Sequence, residues 1–598
     1  MLFRCVRTLL LVVSAQLAFS IPAAAQDPLA AVVEGDTTAE CTDGRISYVF
    51  IDNHSIFDTS DPELDDRFDW AYGIANALHI RTRESVIRRE LLFGIGDCYV
   101  PLLLEETERL LRGYRFLSSV DVFAVPQPDS TVHVIVDTTD EWSTQVDLRL
   151  GFEDGIGVEG LNVRETNLLG TGQTLGVFYI QRDVTRDYGV RYETPQFMGT
   201  RWDLRTEVGR TRAGTLVRQS IAYPFVGEVS HYAARQGFAR EDQFFDYIVS
   251  PRGGATRVLV PVRVKSFDIG VVRRIGEPGR LSVIGGALGF QGLQYPGFPE
   301  VTTGDDFGER QAADTLFTQA VRQQMEEVNN IRLFLLLGQR HVYWVRRRGF
   351  DSLRGVQDVP LGSEIEIALG RTLSALQRRD DDLFGTLTVT TGFELGDVLT
   401  AVRVRADARR DFEAPAGESE WQDVLAEAEL LTYWQPGSRH TLLFRGAGAG
   451  GWHTRTPFQL TLGGERGVRG YDRVDFPGGR RLLLTLEDRI YFGWPLPDVL
   501  DVGGTVFFDA GYVWPGDVPF GTQSGIRTAA GVGLRGSLPA GGRTTYRLDI
   551  AFPLRGPGHS PRILFSIGEV LGLSNMFGDS QVERSRAGAV TGTLYTSH

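Results

Sequence analysis

Between Trp142 and about Leu571, apolar and polar residues alternate in short runs. The stretches STQVDLRLGF, QTLGVFYI, WDLRTEV, RLSVIGGALGF, SEIEIALG, GTLTVTTGFEL, TVFFDAGYVW, TYRLDIAF and RILFSIGE all share this period of two. Period two predicts strands whose two faces meet different surroundings. Turns rich in Gly, Pro and Asp alternate with longer polar connections such as residues 296–328. Arg149, Glu207, Glu366 and Asp549 fall on one face of their strands, as a wet interior requires. Short turns at one end and long loops at the other are the pattern of a transmembrane antiparallel β-barrel. A soluble sandwich would not need so many strands of this length, and large soluble sheets seldom stay open. The candidates number about 20. Both chain ends should lie on the same side of the membrane, so the number should be even.

Residues 45–138 follow a different pattern. ISYVFI (Ile46 to Ile51) alternates like a strand and is followed by an acidic, polar segment around Asp58 to Asp69. RESVIRRELLF places Val86, Ile87, Leu91 and Leu92 at helical spacing, and Gly94 and Gly96 stop it. PLLLEETERLLRGYRF opens with Pro101, which a first helical turn tolerates, and carries Leu103, Leu104, Leu110 and Leu111 as its apolar stripe. SSVDVFAV and TVHVIVD alternate around a turn at Pro126 to Ser130, a hairpin signal. The predicted order is strand, helix, helix, strand, strand, in one small α/β domain.

The N-terminus sets the compartment. Arg4 and Arg7 precede an apolar run from Leu9 to Phe19, and Ala23 to Ala25 supply small residues for cleavage. Residues 1–25 therefore read as a secretory signal peptide, too short for a spanning helix. With Cys5 removed alongside it, Cys41 and Cys98 remain. In an oxidising compartment the two could pair, but spacing alone does not fix their separation, which leaves a disulfide open. The net charge of −14 argues against a nucleic-acid partner. Gly446, Gly448 and Gly451 satisfy G-x-G-x-x-G, yet no helix pattern follows, so no dinucleotide cofactor is implied. The sequence shows no catalytic or metal-binding constellation.

One connection looks built to hold a single conformation. GGERGVRGYDRVDF (Gly463 to Phe476) crowds glycines, three arginines and three acids into one span. Its Val468-Arg469-Gly470-Tyr471 run resembles the VRGF/VRGY loop motif of the BamA/TamA superfamily of outer-membrane assembly and secretion barrels. Phe507, Asp509 and Gly511 resemble that family's F-x-D-x-G pattern. NLLGTGQ (Asn167 to Gln173) looks like its early periplasmic turn, LEDRIYF and RLDIAFPL like its late strands. Residues 45–138 are similar to its POTRA module.

The resemblance implies a barrel over residues 142–571, of 16 strands by family where the count approaches 20. It implies a loop folded into the lumen, with Arg469 pairing to Asp509. It also implies a function without a cofactor: an outer-membrane barrel that inserts or translocates proteins. Its partners would be unfolded outer-membrane or secreted clients, the lipid bilayer, and periplasmic or lipoprotein subunits. The alternative is a passive outer-membrane channel or porin. The chain departs from the family in having a single POTRA-like domain, a higher strand count, and a C-terminal tail at residues 572–598 that the family pattern does not place.

Overall fold

The computed structural model describes residues 41–57, 67, 69–151, 157–182, 185–250, 256–303, 310–373, 381–414, 417–494, 499–555, 560–568, 571–573, 576 and 578–586. The expected signal peptide lies outside these residues.

The N-terminal domain contains β1 (Arg45–His54), α1 (Asp69–Leu78), α2 (Glu84–Glu90), α3 (Pro101–Gly113), β2 (Leu117–Pro126) and β3 (Thr131–Asp140). Its sheet has the order β1-β3-β2, with β1 parallel and β2 antiparallel to β3. Val86, Ile87, Leu104, Leu111, Val120, Val122 and Val134 form one buried core between helices and sheet. The helical stripe of α3 and the alternate residues of β2 and β3 face each other, which is why these spacings are in the sequence. Helix α1 follows the expected polar segment and is an additional helix, absent from the predicted order of strand, helix, helix, strand, strand. Its Gly73 weakens the helical pattern in the sequence, and Tyr72 anchors it by packing on Phe57 at 4.7 Å. Cys41 and Cys98 are joined in a disulfide, which ties the start of the domain to the α2–α3 connection.

The barrel wall is antiparallel throughout and, among the described residues, has twenty strands. Nine run from Thr144–Gly151 to Arg280–Gln294, and eleven from Val328–Arg348 to Arg562–Ile567. The wall therefore exceeds the 16 strands that the family resemblance implies. The first and last strands close it, and they are short: 8 and 6 residues, against 22 for Thr256–Glu277. The long connection folds as a hairpin (Glu300–Thr303 with Arg310–Ala312), whose first strand pairs with the start of Thr256–Glu277, followed by helix α4 (Thr315–Arg322). Inward and outward residues alternate cleanly. In Asp501–Trp514, Phe507, Asp509, Gly511 and Val513 are buried, whereas Val506, Phe508 and Trp514 are exposed outward. Strand Arg480–Tyr491 likewise turns Leu482, Leu484 and Leu486 out. An apolar outer face and a polar inner one are what a membrane imposes on a barrel.

The N-terminal domain is docked on one rim of the barrel. The Arg83 N–H donates to the Gly170 carbonyl at 2.9 Å, and Asn167 donates to the Thr82 hydroxyl at 2.7 Å. The Glu228 N–H donates to Glu106 at 2.7 Å, and Arg112 makes a two-point contact with Asp358 at 2.8 and 3.1 Å. Arg109 stacks over Trp344 at 4.4 Å. The Arg543 N–H donates to Glu141 at 3.1 Å. These partners come from turns and strand ends in both halves of the wall, so the domain lies across the mouth on its side. At the same rim, Leu571 has left the wall. The last strand ends at Ile567, and Leu571 is buried inside against Phe350 and Tyr433.

Candidate functional site in the barrel lumen

The site is built from three inward faces and one loop. Strand Arg480–Tyr491 pairs with Asp501–Trp514, which sets Thr485 opposite Asp509 and Glu487 opposite Phe507. Strand Arg527–Ser537 pairs next to it, then Tyr546–Pro553, bringing Arg535, Arg547 and Asp549 to the same interior depth. The connection after Trp452 does not stay outside. It turns back into the lumen and reverses on itself, the Val468 N–H donating to the Leu462 carbonyl at 3.0 Å and the Tyr471 N–H to that of Val468 at 3.1 Å.

That reversal puts Arg469 over the wall. Its Nε and Nη2 donate to the two oxygens of Asp509 at 2.7 and 2.9 Å, and its Nη1 donates to Glu487 at 2.8 Å. The guanidinium plane lies over the Phe507 ring at 3.4 Å. A planar fork matches a carboxylate and an aromatic face at once, which a lysine could not do. Arg469, Asp509 and Glu487 are all at most 2 % exposed. The pair was expected to sit in a watery lumen; instead the loop seals it.

Glycines permit the approach. A Cβ on Gly470 would lie 2.8 Å from that of Ala529 and 2.9 Å from the Pro553 nitrogen. A Cβ on Gly511 would lie 2.8 Å from Val468 Cγ2. Val468, Tyr471, Leu483 and Val513 then close an apolar cluster around the loop, and the Tyr471 hydroxyl donates to the carbonyls of Arg555 and Thr528.

Residues 427–570 match the model of the Omp85 superfamily domain. This part of the chain is an Omp85 superfamily domain. Both the locked loop and its partner strand lie inside it, and the protein is a β-barrel of the bacterial outer membrane. Barrels of this family insert or translocate proteins. No curated protein matches. Among solved structures, BamA from Haemophilus ducreyi lacking POTRA domains 1–3 is 15% identical, with 88% of this chain and 84% of that one covered and a TM-score of 0.37. CdiB from Escherichia coli is 12% identical, with 88% and 76% covered and a TM-score of 0.43. OccK2 from Pseudomonas aeruginosa is 13% identical, with 72% and 96% covered and a TM-score of 0.30.

The Omp85 domain holds more of the site than its two motifs. Glu487 is the hub. Besides Arg469 it accepts from Arg489 at 3.0 Å, Arg535 at 2.7 Å and Arg547 at 3.0 Å. Asp549 pairs with Arg547 at 2.7 Å and approaches Arg469 at 3.5 Å. Four arginines and three carboxylates thus pair with one another, and such pairing is the condition for keeping any of them ionised in a dry interior. Reading by motif overlooks Glu487, Arg489, Arg535 and Arg547. The available signal was charge at i and i+2 in otherwise apolar strands, as in Glu487-Asp-Arg489 and Arg547-Leu-Asp549, which puts both charges on the inner face.

Proposed function

We propose that the chain is a protein-inserting or protein-translocating barrel whose POTRA-like domain, residues 45–138, receives unfolded clients. The observation that carries this reading is the loop of the Omp85 domain, turned inward and clamped by Arg469 to Asp509 and Glu487. A pore that only passes solutes gains nothing from filling its own lumen with a fixed loop. The docked domain supports the same reading. Among the described residues, β2 is an edge of its sheet, and Phe123 and Val125 on it are exposed. An extended client can add as a further strand to such an edge, with main-chain hydrogen bonds supplying affinity.

Client strands would then meet the wall where Thr144–Gly151 joins Arg562–Ile567. Short strands offer few ladder bonds there, so this is the cheapest place in the wall to part. The passive-channel reading has the width of a twenty-strand wall in its favour, but the inward loop and the domain across the mouth both obstruct a free path.

Deleting residues 41–140 tests the receptor role. The expected result is a barrel that still folds, shown by heat-modifiable migration on gels, in cells that lose client proteins from the outer membrane or medium. Unchanged client levels with a folded barrel would remove the role assigned to the domain.

A further inference from the structure

A wall of twenty strands encloses a wide space; barrels of 16–18 strands already leave an aqueous channel. The inward loop fills only part of it. Helix α4 adds Phe317 and Val321, which cluster with Tyr247 and Phe520. Much of the remaining filling comes from the chain after the last strand, which re-enters the lumen and climbs it. Near the domain side, Arg489 donates to the Leu571 carbonyl at 2.6 Å, and the Leu573 N–H donates to the Tyr433 hydroxyl at 3.2 Å. Higher up, Arg403 donates to the Met576 carbonyl at 3.0 Å, and the Asp579 N–H donates to Glu427 at 2.8 Å. Arg481 pairs with Asp579, and Gln581 and Thr461 exchange hydrogen bonds at 2.6 and 3.0 Å. Arg489 and Arg481 lie on one strand, eight residues or roughly 27 Å apart. The tail therefore spans much of the depth of the lumen.

At the top, the short helix α5 (Ser580–Glu583) turns Val582 into an apolar cluster with Leu425, Phe458 and Leu460. Arg586 then sits among Asp407 at 2.5 Å, Glu427 at 2.5 Å and Glu583 at 2.6 Å, its side chain 2 % exposed. Arg584 reaches Asp246 at 3.1 Å on the other side of the lumen.

How the segment is held is the informative part. The described residues of the 571–586 segment join no strand ladder of the wall, whose strands pair in a closed ring without them. They are bound by wall and loop side chains, through ion pairs, capped carbonyls and two apolar contacts. That is how a protein holds a ligand. Removing a segment bound in this way breaks no wall hydrogen bond, whereas removing a wall strand would open an edge.

We propose that residues 571–586 are an intramolecular plug: a ligand of the lumen that closes the barrel at rest and can leave as an intact segment. Any client chain entering the lumen would compete for the same arginines and carboxylates. The extra strands and the extra tail are then one adaptation, since the wider wall needs a second filler.

Single-channel recording in planar bilayers tests this. A chain ending at Gly568 should show a time-averaged conductance at least about tenfold above that of the full chain, because the resting equilibrium loses its closed form. A synthetic peptide of residues 569–598, added on the domain side, should close it again. In the full chain, Arg586→Glu places a fourth carboxylate beside Asp407, Glu427 and Glu583 and should raise conductance several-fold, about the effect of weakening one end of the plug. This variant leaves the wall and the last strand unchanged. A truncated barrel that folds but conducts no better than the full chain, one that the peptide cannot close, or an Arg586→Glu chain that conducts as the full chain does would each overturn the proposal.

Discussion

Arg469 and Asp509 lie 40 residues apart in sequence and meet through two parallel hydrogen bonds, with a third from the Arg469 backbone N–H at 3.3 Å. Both side chains are dry. Breaking a buried pair by removing one partner typically costs about 3–5 kcal/mol, because the surviving charge is stranded. Arg469→Ala and Asp509→Ala should each fall in that range, with the double mutant little worse than either, since coupled residues are non-additive. Arg469→Lys should recover only part of the loss. Protease accessibility of residues 453–479 and the temperature at which the folded gel band disappears are the readouts.

Glu487 should matter more than Asp509. It serves four arginines where Asp509 serves one. Glu487→Gln keeps the size but removes the charge that compensates them. We expect a larger fall in the folded-band temperature than for Asp509→Asn. The reverse ranking would show that Asp509, not Glu487, is the centre of the cluster.

Steric fit gives an independent check on the loop. Gly470→Ala and Gly511→Ala each force a methyl group to within 2.8 Å of a neighbour. Overpacking of this kind typically costs about 1–3 kcal/mol. Gly446→Ala is the control: its Cβ would find nothing nearer than Leu484 at 3.7 Å, and it should be close to neutral. Denaturant titration of the three variants would measure the difference.

The Cys41–Cys98 bond closes a loop with a sequence separation of 57. On the chain-entropy account such a closure contributes about 2–4 kcal/mol. Reduction, or Cys41→Ser, should therefore speed hydrogen exchange in β1, β2 and β3 and leave exchange in the wall strands unchanged. Equal exchange in both redox states would show that the bond does not hold the domain.

Much of this was legible because a membrane barrel writes its environment into alternate residues. The period of two along Asp501–Trp514 marks lipid on one face and lumen on the other, and no other context demands that from so many strands. The strand number was closer to the count than to the family expectation. Arg469 and Asp509 were legible through their short motifs. Glu487 was not, since its i, i+2 pairing with Arg489 looks like any inward charge pair until the loop brings Arg469, and two further strands bring Arg535 and Arg547, to the same carboxylate. Helix α1 was hidden by Gly73, a poor helix former in the middle of its span. The place of the tail was hidden for another reason: side chains far apart in sequence hold it, and no local pattern records which they are.

The central claim is that this barrel handles other proteins. Its most direct test is depletion in the native cell, with quantitative mass spectrometry of the outer-membrane and secreted fractions, complemented by the wild-type chain or by Asp509→Ala. The account predicts that a defined set of outer-membrane or secreted proteins falls on depletion, returns with the wild-type chain, and returns poorly with Asp509→Ala present at equal level. Fractions that stay unchanged on depletion, while the uptake of small solutes falls, would contradict it and leave a channel.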